Sequence, residues 1–393
     1  MQKTIYLDNA ATTAVRPEVL DAMMPFFTEW YGNPSSVHEF GALCNVACDK
    51  AREQVAKVIN ADPKDIYFTS GGTESDNWAL KSAALAKKEK GKHIITTKIE
   101  HHAVMETCEF LERQGYEVTY LDVDDQGLVD PGALEKAIRP DTIIISVMYA
   151  NNEIGTVQPI REIGRIARSH GILFHTDAVQ AFGHIPIDVN EDNIDLMSAS
   201  GHKIHGPKGV GFLYMKKGVK LPPFMNGGHH ERGRRAGTLN VPGIVGMGKA
   251  AEIASGEMSK NAKHLSGLRD RLISGLSEAI PYTKLNGHPT KRLPGNVNMS
   301  FRFVEGESLL MLVDEKGVSA STGSACASGS LDPSHVLLAI GLPHEIAHGS
   351  LRFSLSEENT EEEMDYTVKV VKEVVERLRS MSPLYEDMLN GVA

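Results

Sequence analysis

The sequence predicts an α/β fold: a large domain on a mostly parallel sheet flanked by helices, joined to a smaller α+β domain. Three observations lead there. Between about residues 60 and 255, seven short apolar runs alternate with amphipathic stretches: DIYFTS, KHIITT, EVTYLD, TIIISVMY, ILFHTD, IDLMSAS and GVGFLYM. Their length and their Ile, Val and Tyr content suit strands. Between several of them lie helical patterns, at 74–88 and at 104–114, where Val104, Cys108 and Leu111 recur at i, i+4 and i+7. Strands alternating with helices make a parallel sheet covered on both faces. Ligands of such sheets bind outside the carboxyl ends of the strands.

The last third reads differently. Two helical stretches, 241–257 and 259–279, lead to a strand NVNMSF and a helix at 307–314. A Ser/Gly/Ala-rich segment follows, then a strand SLRFSLS and a charged helix at 360–381. The expected division is a large domain of residues 15–255 and a small one of residues 1–14 and 256–393.

The 393 residues are 41% hydrophobic and carry a net charge of −10. That balance argues against nucleic acid as the main partner, because phosphate neutralisation needs clustered Lys and Arg. The start, MQKTIYLDNAATT, has no apolar leader, and no run is long enough to span a bilayer. A cytoplasmic protein with no membrane partner is expected. Four cysteines without a C-x-x-C pair are read as reduced thiols rather than a disulfide framework.

Four features fall at strand ends. DIYFTS runs into Gly71-Gly72-Thr73-Glu74 and a helix; such a turn offers N–H groups and a helix N-terminus to a phosphate, and equally suits a glycine turn with Thr73 as helix cap. ILFHTD ends on Asp177, a costly buried acid unless it meets a cation such as a pyridinium nitrogen; metal binding or capping are the alternatives. IDLMSAS leads to Gly201-His202-Lys203, where a partly desolvated lysine is suited to bond a carbonyl group, Ser200 and His202 beside it offer donors, and a surface turn is the plainer reading. Glu100-His101-His102 follows KHIITT and offers an imidazole to stack on a ring, or simply a structural histidine. A phosphate cradle, an acid, a lysine and an imidazole are the parts of a pyridoxal-phosphate site. The histidine pairs lack zinc-ligand spacing, so no metal is expected.

The stretches LDNAATT, GNPSS, TSGGTESDN, EHHAV, NNEIG, HTDAVQ, SGHK, ERGRRAGT and STGSACASGS resemble the NifS/IscS group of cysteine desulfurases, from Leu7 to Arg352. The resemblance implies a fold type I, aminotransferase-like homodimer using pyridoxal 5'-phosphate. It implies Lys203 as the lysine bonded to the cofactor, Asp177 at the ring nitrogen and His101 stacked on the ring as proton shuttle. Gly72, Thr73, Asn152, Gln180, Ser200 and His202 become cofactor contacts, and Thr238 reaches a phosphate in the partner subunit. Asn152 and Arg352 bind the carboxylate of L-cysteine; the alternation in SLRFSLS puts Arg352 on the polar face, which a surface salt bridge would also explain.

Cys326, among small and polar residues, is the expected nucleophile, taking sulfur as a persulfide and releasing L-alanine. Cys44, Cys48 and Cys108 lie on apolar helical faces and are expected to be buried. The sulfur acceptor would be a protein such as an iron–sulfur scaffold. A short end after SPLYEDMLNGVA favours the NifS-like branch. An ordinary aminotransferase, a selenocysteine lyase and a non-catalytic sulfur-delivery scaffold are the competing readings.

Overall fold

The structure, a computed structural model, describes residues 4–322 and 333–391. Strand β1 (Ile5–Tyr6) is followed by seven strands of one sheet: β2 (Ile66–Thr69), β3 (His93–Thr97), β4 (Glu117–Leu121), β5 (Thr142–Ser146), β6 (Leu173–Asp177), β7 (Leu196–Ser200) and β8 (Gly211–Met215). Their spatial order is β2-β8-β7-β6-β5-β3-β4. All neighbours are parallel except β8, which runs against both β2 and β7. The loop between β7 and β8 carries Lys203 and only a three-residue 3-10 turn, Gly201–Lys203, too short for a crossover helix, so β8 returns antiparallel.

Both faces of the inner strands are buried, which is why these strands read as apolar runs, while the edge strand β4 stays half-exposed. Ile95, Ile145, Phe174, Met197 and Phe212 face one core, together with Val55 of the Glu39–Val58 helix. Their neighbours Ile94, Ile144, Leu196 and Leu213 face the other, packing on Trp78 and Leu80 of the Gly72–Lys87 helix and on Val104 and Cys108 of the His102–Arg113 helix. Cys44, Cys48 and Cys108 are buried, as their spacing predicts.

Beyond it lie β9 (Thr283–Leu285), β10 (Asn296–Phe301), β11 (Val318–Ser319) and β12 (Ser350–Ser354). β10 is the centre of a three-stranded antiparallel sheet between β12 and β9, while β1 pairs with β11 in parallel. A separate core forms here from Leu7, Leu272, Phe301, Phe353 and Val371. The two helices expected at 241–257 and 259–279 are one helix, Val241–Ala279, of 39 residues. Its apolar face changes partner along its length. Val241, Ile244, Met247 and Ala251 enter the sheet core, and Leu265, Leu268, Leu272 and Leu276 enter the smaller one. That change of face reads as a break in the sequence, yet the only weak residue there is Gly256, which costs about 1 kcal/mol against Ala and does not stop a helix.

The ERGRRAGT stretch is anchored from beneath. Arg52 donates twice to Glu231, at 2.8 Å to each carboxylate oxygen, and Phe68 of β2 donates its N–H to the same group at 2.9 Å. Glu231 and Arg232 both hold positive φ, 45° and 57°. Removing one member of a buried pair strands the other charge. Glu231→Ala is therefore expected to destabilise the fold by about 3–5 kcal/mol, read as a lower denaturation midpoint in urea.

Candidate active site

The carboxyl ends of β2, β3, β5, β6 and β7 open on one side of the sheet, around a cavity of about 400 Å³. The order of strands reverses between β3 and β5, and the loops after these two strands supply His101 and Asn152. Ala10 and Ala11 of the N-terminal segment and Arg352 of β12 close the cavity from the smaller lobe.

The glycine turn after β2 depends on close approach. Gly71 has φ 154° and packs so tightly on β8 that a side chain at Gly211 would come within 2.6 Å of its Cα. A side chain on Gly72 would strike Val179 at 2.5 Å. Gly71 is itself the N-cap, without a side-chain cap bond, so Thr73 is not the cap; it lies exposed at the cavity mouth, near the buried Ser200. The first N–H groups of the Gly72–Lys87 helix are thus turned toward the cavity. Arg235 clasps Glu74 of that helix with two bonds, 2.8 and 3.0 Å, fixing the ERGRRAGT stretch to the cradle.

Lys203 projects from the end of β7. Its Nζ donates to the carbonyls of Ala10 at 2.6 Å and Ala11 at 2.8 Å, and Gln180 also donates to Ala10 at 3.0 Å. The N-terminal segment is stitched along the lysine loop: Thr13 donates its hydroxyl to the His202 carbonyl, and His205 donates its N–H to Thr13. His202 contacts the Thr12 hydroxyl at 3.1 Å, and burial, with the charges of Lys203 and Lys208, lowers its pKa to about 4. A neutral donor follows.

Asp177, 5% exposed, accepts the N–H of Val179 at 2.9 Å. Burial pushes its pKa up, against the pull of His101, the Val179 N–H and Lys203. His101 caps the His102–Arg113 helix, its Nδ1 accepting the N–H of Ala103 at 3.1 Å. Burial holds its pKa below the ordinary value even though Asp177 pulls the other way, so the ring is neutral at pH 7 with its proton on Nε2. Glu100 beside it is driven by burial to about 8, against bonds from the Met148 N–H and the Thr97 hydroxyl.

Arg352 is buried, 2% exposed, which excludes a surface salt bridge. It donates to Asp8 at 2.8 Å and to the Asn152 carbonyl at 3.1 Å. Asn151 shapes that loop by accepting the N–H groups of Glu153 and Ile154 and donating to the Ile99 carbonyl.

Ten of the sequence-derived residues line this one cavity: Gly72, Thr73, His101, Asn152, Asp177, Gln180, Ser200, His202, Lys203 and Arg352. Thr238 does not line it and is exposed on the same chain, and Cys326 lies outside the described residues. Sequence reasoning missed Asp8, Asp76 and Glu153. Asp76 was findable, since it stands one helical turn after Gly72 and faces the same side.

Residues 5–367 match the aminotransferase class-V family. The chain is 60% identical to a cysteine desulfurase IscS of Methanosarcina thermophila, covering 97% of this chain and 94% of that protein. It is 56% identical to a cysteine desulfurase IscS of Clostridium botulinum, over 100% of this chain and 99% of the relative. The chain belongs to the cysteine desulfurases of the aminotransferase class-V family. Among solved structures it resembles a NifS-like protein (43% identity, TM-score 0.90, covering 95% of this chain and 100% of that one). It also resembles SspA in complex with cysteine (38% identity, TM-score 0.82, covering 91% and 100%). The IscS-named relatives align over almost their whole length, so a short C-terminus does not separate a NifS-like from an IscS-like desulfurase, and the expectation built on it falls.

The desulfurase site also has a charged clasp behind Lys203. His205 contacts Glu357 through Nε2 at 3.3 Å and the Ala14 carbonyl through Nδ1 at 3.0 Å, so both nitrogens face acceptors. Glu357, just past β12, also pairs with Arg16, which bonds Glu257 at 2.9 Å. Burial opposes the His205 charge, but the bond and charge of Glu357 outweigh it and raise its pKa. Burial likewise opposes the Glu357 charge, and His205 and Arg16 overcome it, holding the carboxyl far below the ordinary range. The His205 contribution is complete below its unfolded value of about 6.5 and disappears as pH rises through the raised folded value. The Glu357 contribution is complete above about 4.3 and is lost only in stronger acid. The stability advantage of wild type over His205→Gln, measured by denaturant unfolding, is expected to be larger at pH 6 than at pH 9.

Proposed function

We propose that this protein is a pyridoxal-phosphate-dependent cysteine desulfurase that converts L-cysteine to L-alanine and carries the sulfur on Cys326 as a persulfide. The observation that supports this most is the convergence of Lys203, Asp177 and Arg352 on one cavity. These residues fit the cofactor. The Gly71–Gly72 cradle with Thr73, Ser200 and His202 would hold the phosphate, and Lys203 would hold the aldehyde. Asp177 is a buried acid whose charge burial disfavours, and a cationic ring nitrogen would reverse that. The bound cofactor supplies an aldehyde and an electron-withdrawing protonated ring.

The residues then divide the work. Arg352, with Asn152, orients the carboxylate of L-cysteine; its fork is already aimed by Asp8. Lys203, whose amine would hold the cofactor, would serve as the base for the α-proton, and neutral His101 would lie against the cofactor and pass protons. The Cys326 thiolate attacks the substrate sulfur. A sulfur–sulfur bond forms, the substrate carbon–sulfur bond breaks with its electrons on carbon, and that carbon takes a proton to become the alanine methyl. The persulfide then passes to an acceptor protein such as an iron–sulfur scaffold.

The same reading makes the protein a cytoplasmic homodimer in which Thr238 serves the partner's phosphate. Exposed Phe27, Trp30, Tyr31 and Phe40 support a protein-covered face. No helix among the described residues is long and apolar enough to cross a membrane. The smaller lobe of residues 1–14 and 256–393 would carry the cysteine loop to the cofactor held by residues 15–255.

Without reductant, wild type is expected to form about one alanine per chain and stop, and with reductant to turn over. Cys326→Ser should keep the cofactor colour but lose alanine and sulfide release, whereas Lys203→Ala should lose both colour and activity. Full activity in Cys326→Ser would overturn the persulfide route. Arg352→Lys loses the bidentate fork, worth about 1.5–3 kcal/mol, and should raise KM for cysteine roughly 10- to 100-fold.

A further inference from the structure

Behind the cavity lies an acid that no step above uses. Asp76, on the Gly72–Lys87 helix, is 1% exposed and lines the cavity. One side-chain atom each of Asp76, His101 and Asp177 lies within 4.8 Å of the other two. From the sheet side, His175 Nε2 approaches Asp76 Oδ1 at 3.5 Å. His175 is itself fully buried, with Nδ1 2.8 Å from the Ser146 hydroxyl and Nε2 3.0 Å from the Ser198 hydroxyl.

The two acids are supported differently. Asp177 has a backbone N–H at 2.9 Å and lines the cavity with Lys203. Asp76 has the Ser198 hydroxyl and an imidazole that burial drives to about 3, hence neutral. Among the described residues Asp76 Oδ1 has no hydrogen-bond partner, and an anionic oxygen in that position is far costlier than a neutral one. Two carboxyls this close, away from water, do not both ionise readily. The His175 ring links the Ser146 and Ser198 hydroxyls, and its Nε2 stands 3.5 Å from the unpartnered Asp76 Oδ1.

Resting on the pyridoxal-phosphate reading, we propose that Asp76 stays a neutral carboxylic acid at physiological pH and is the positioning residue that keeps Asp177 the ionised partner of the cofactor ring. Burial first, and then the neighbouring Asp177, push the Asp76 pKa well up, in line with that assignment.

The test is carboxyl ¹³C NMR of aspartate-labelled holoenzyme and apoprotein at pH 7, with pyridoxal 5'-phosphate affinity measured by absorbance. A neutral-acid aspartate resonance should be present in wild type, absent in Asp76→Asn and retained in Asp177→Asn. Asp76→Asn, a neutral isostere, should keep cofactor affinity within about threefold, whereas Asp76→Ala and Asp177→Asn should each lose about tenfold or more, the equivalent of one pKa unit. A wild type lacking the resonance, its persistence in Asp76→Asn, or a tenfold affinity loss in Asp76→Asn overturns the proposal. If wild type takes up no pyridoxal 5'-phosphate, the cofactor reading fails and the role of Asp76 with it, and the apoprotein spectrum separately reports whether Asp76 is protonated.

Discussion

The architecture turns on the position of one carboxyl group, Asp177, at the last position of a strand buried on both faces. An acid in such a place must be satisfied by neighbours rather than by water. Two features answer that demand: the Val179 N–H and the cavity above in which a cation can sit. The parallel sheet makes the arrangement possible. It aligns five strand ends on one edge, and each contributes a loop whose side chains meet without any long excursion of the chain.

The N-terminal segment has a larger part than its length suggests. It pairs with β11, runs beside β12, offers two carbonyls to Lys203 and binds the lysine loop through Thr13. Asp8 on the same segment holds Arg352. The group that would hold the cofactor and the group that would hold the substrate are thus set by residues only a few positions apart, and the distance between them is built into one extended stretch of backbone.

Much of this was legible in the sequence. All seven strands of the large sheet showed in the sequence, the inner ones as apolar runs because burial on both faces leaves little polar alternation to blur them, and the edge strand β4 through its alternation EVTYL. The strand-end residues Asp177 and Lys203 stood out because charge at the end of an apolar run needs a reason. Three things were not legible. The antiparallel return of β8 depends on loop length in space. The continuity of the Val241–Ala279 helix was masked by its change of apolar face. Asp8 acts through Arg352, 344 positions away in the chain, which no local pattern encodes. His205 likewise takes its charge from Glu357, 152 positions away in the chain and 3.3 Å away in space.

The Val241–Ala279 helix has a consequence for how the molecule holds together. Its first turns are rooted among Ile244, Met247 and Ala251 in one core and its last among Leu268, Leu272 and Leu276 in the other. About 58 Å of continuous helix, at 1.5 Å per residue, therefore acts as a shared strut. Neither lobe can come apart without exposing an apolar stripe of that strut to water, so the two melt as one body. A rotation of one lobe on the other has to bend the strut or pivot along it, and sliding apart is not available.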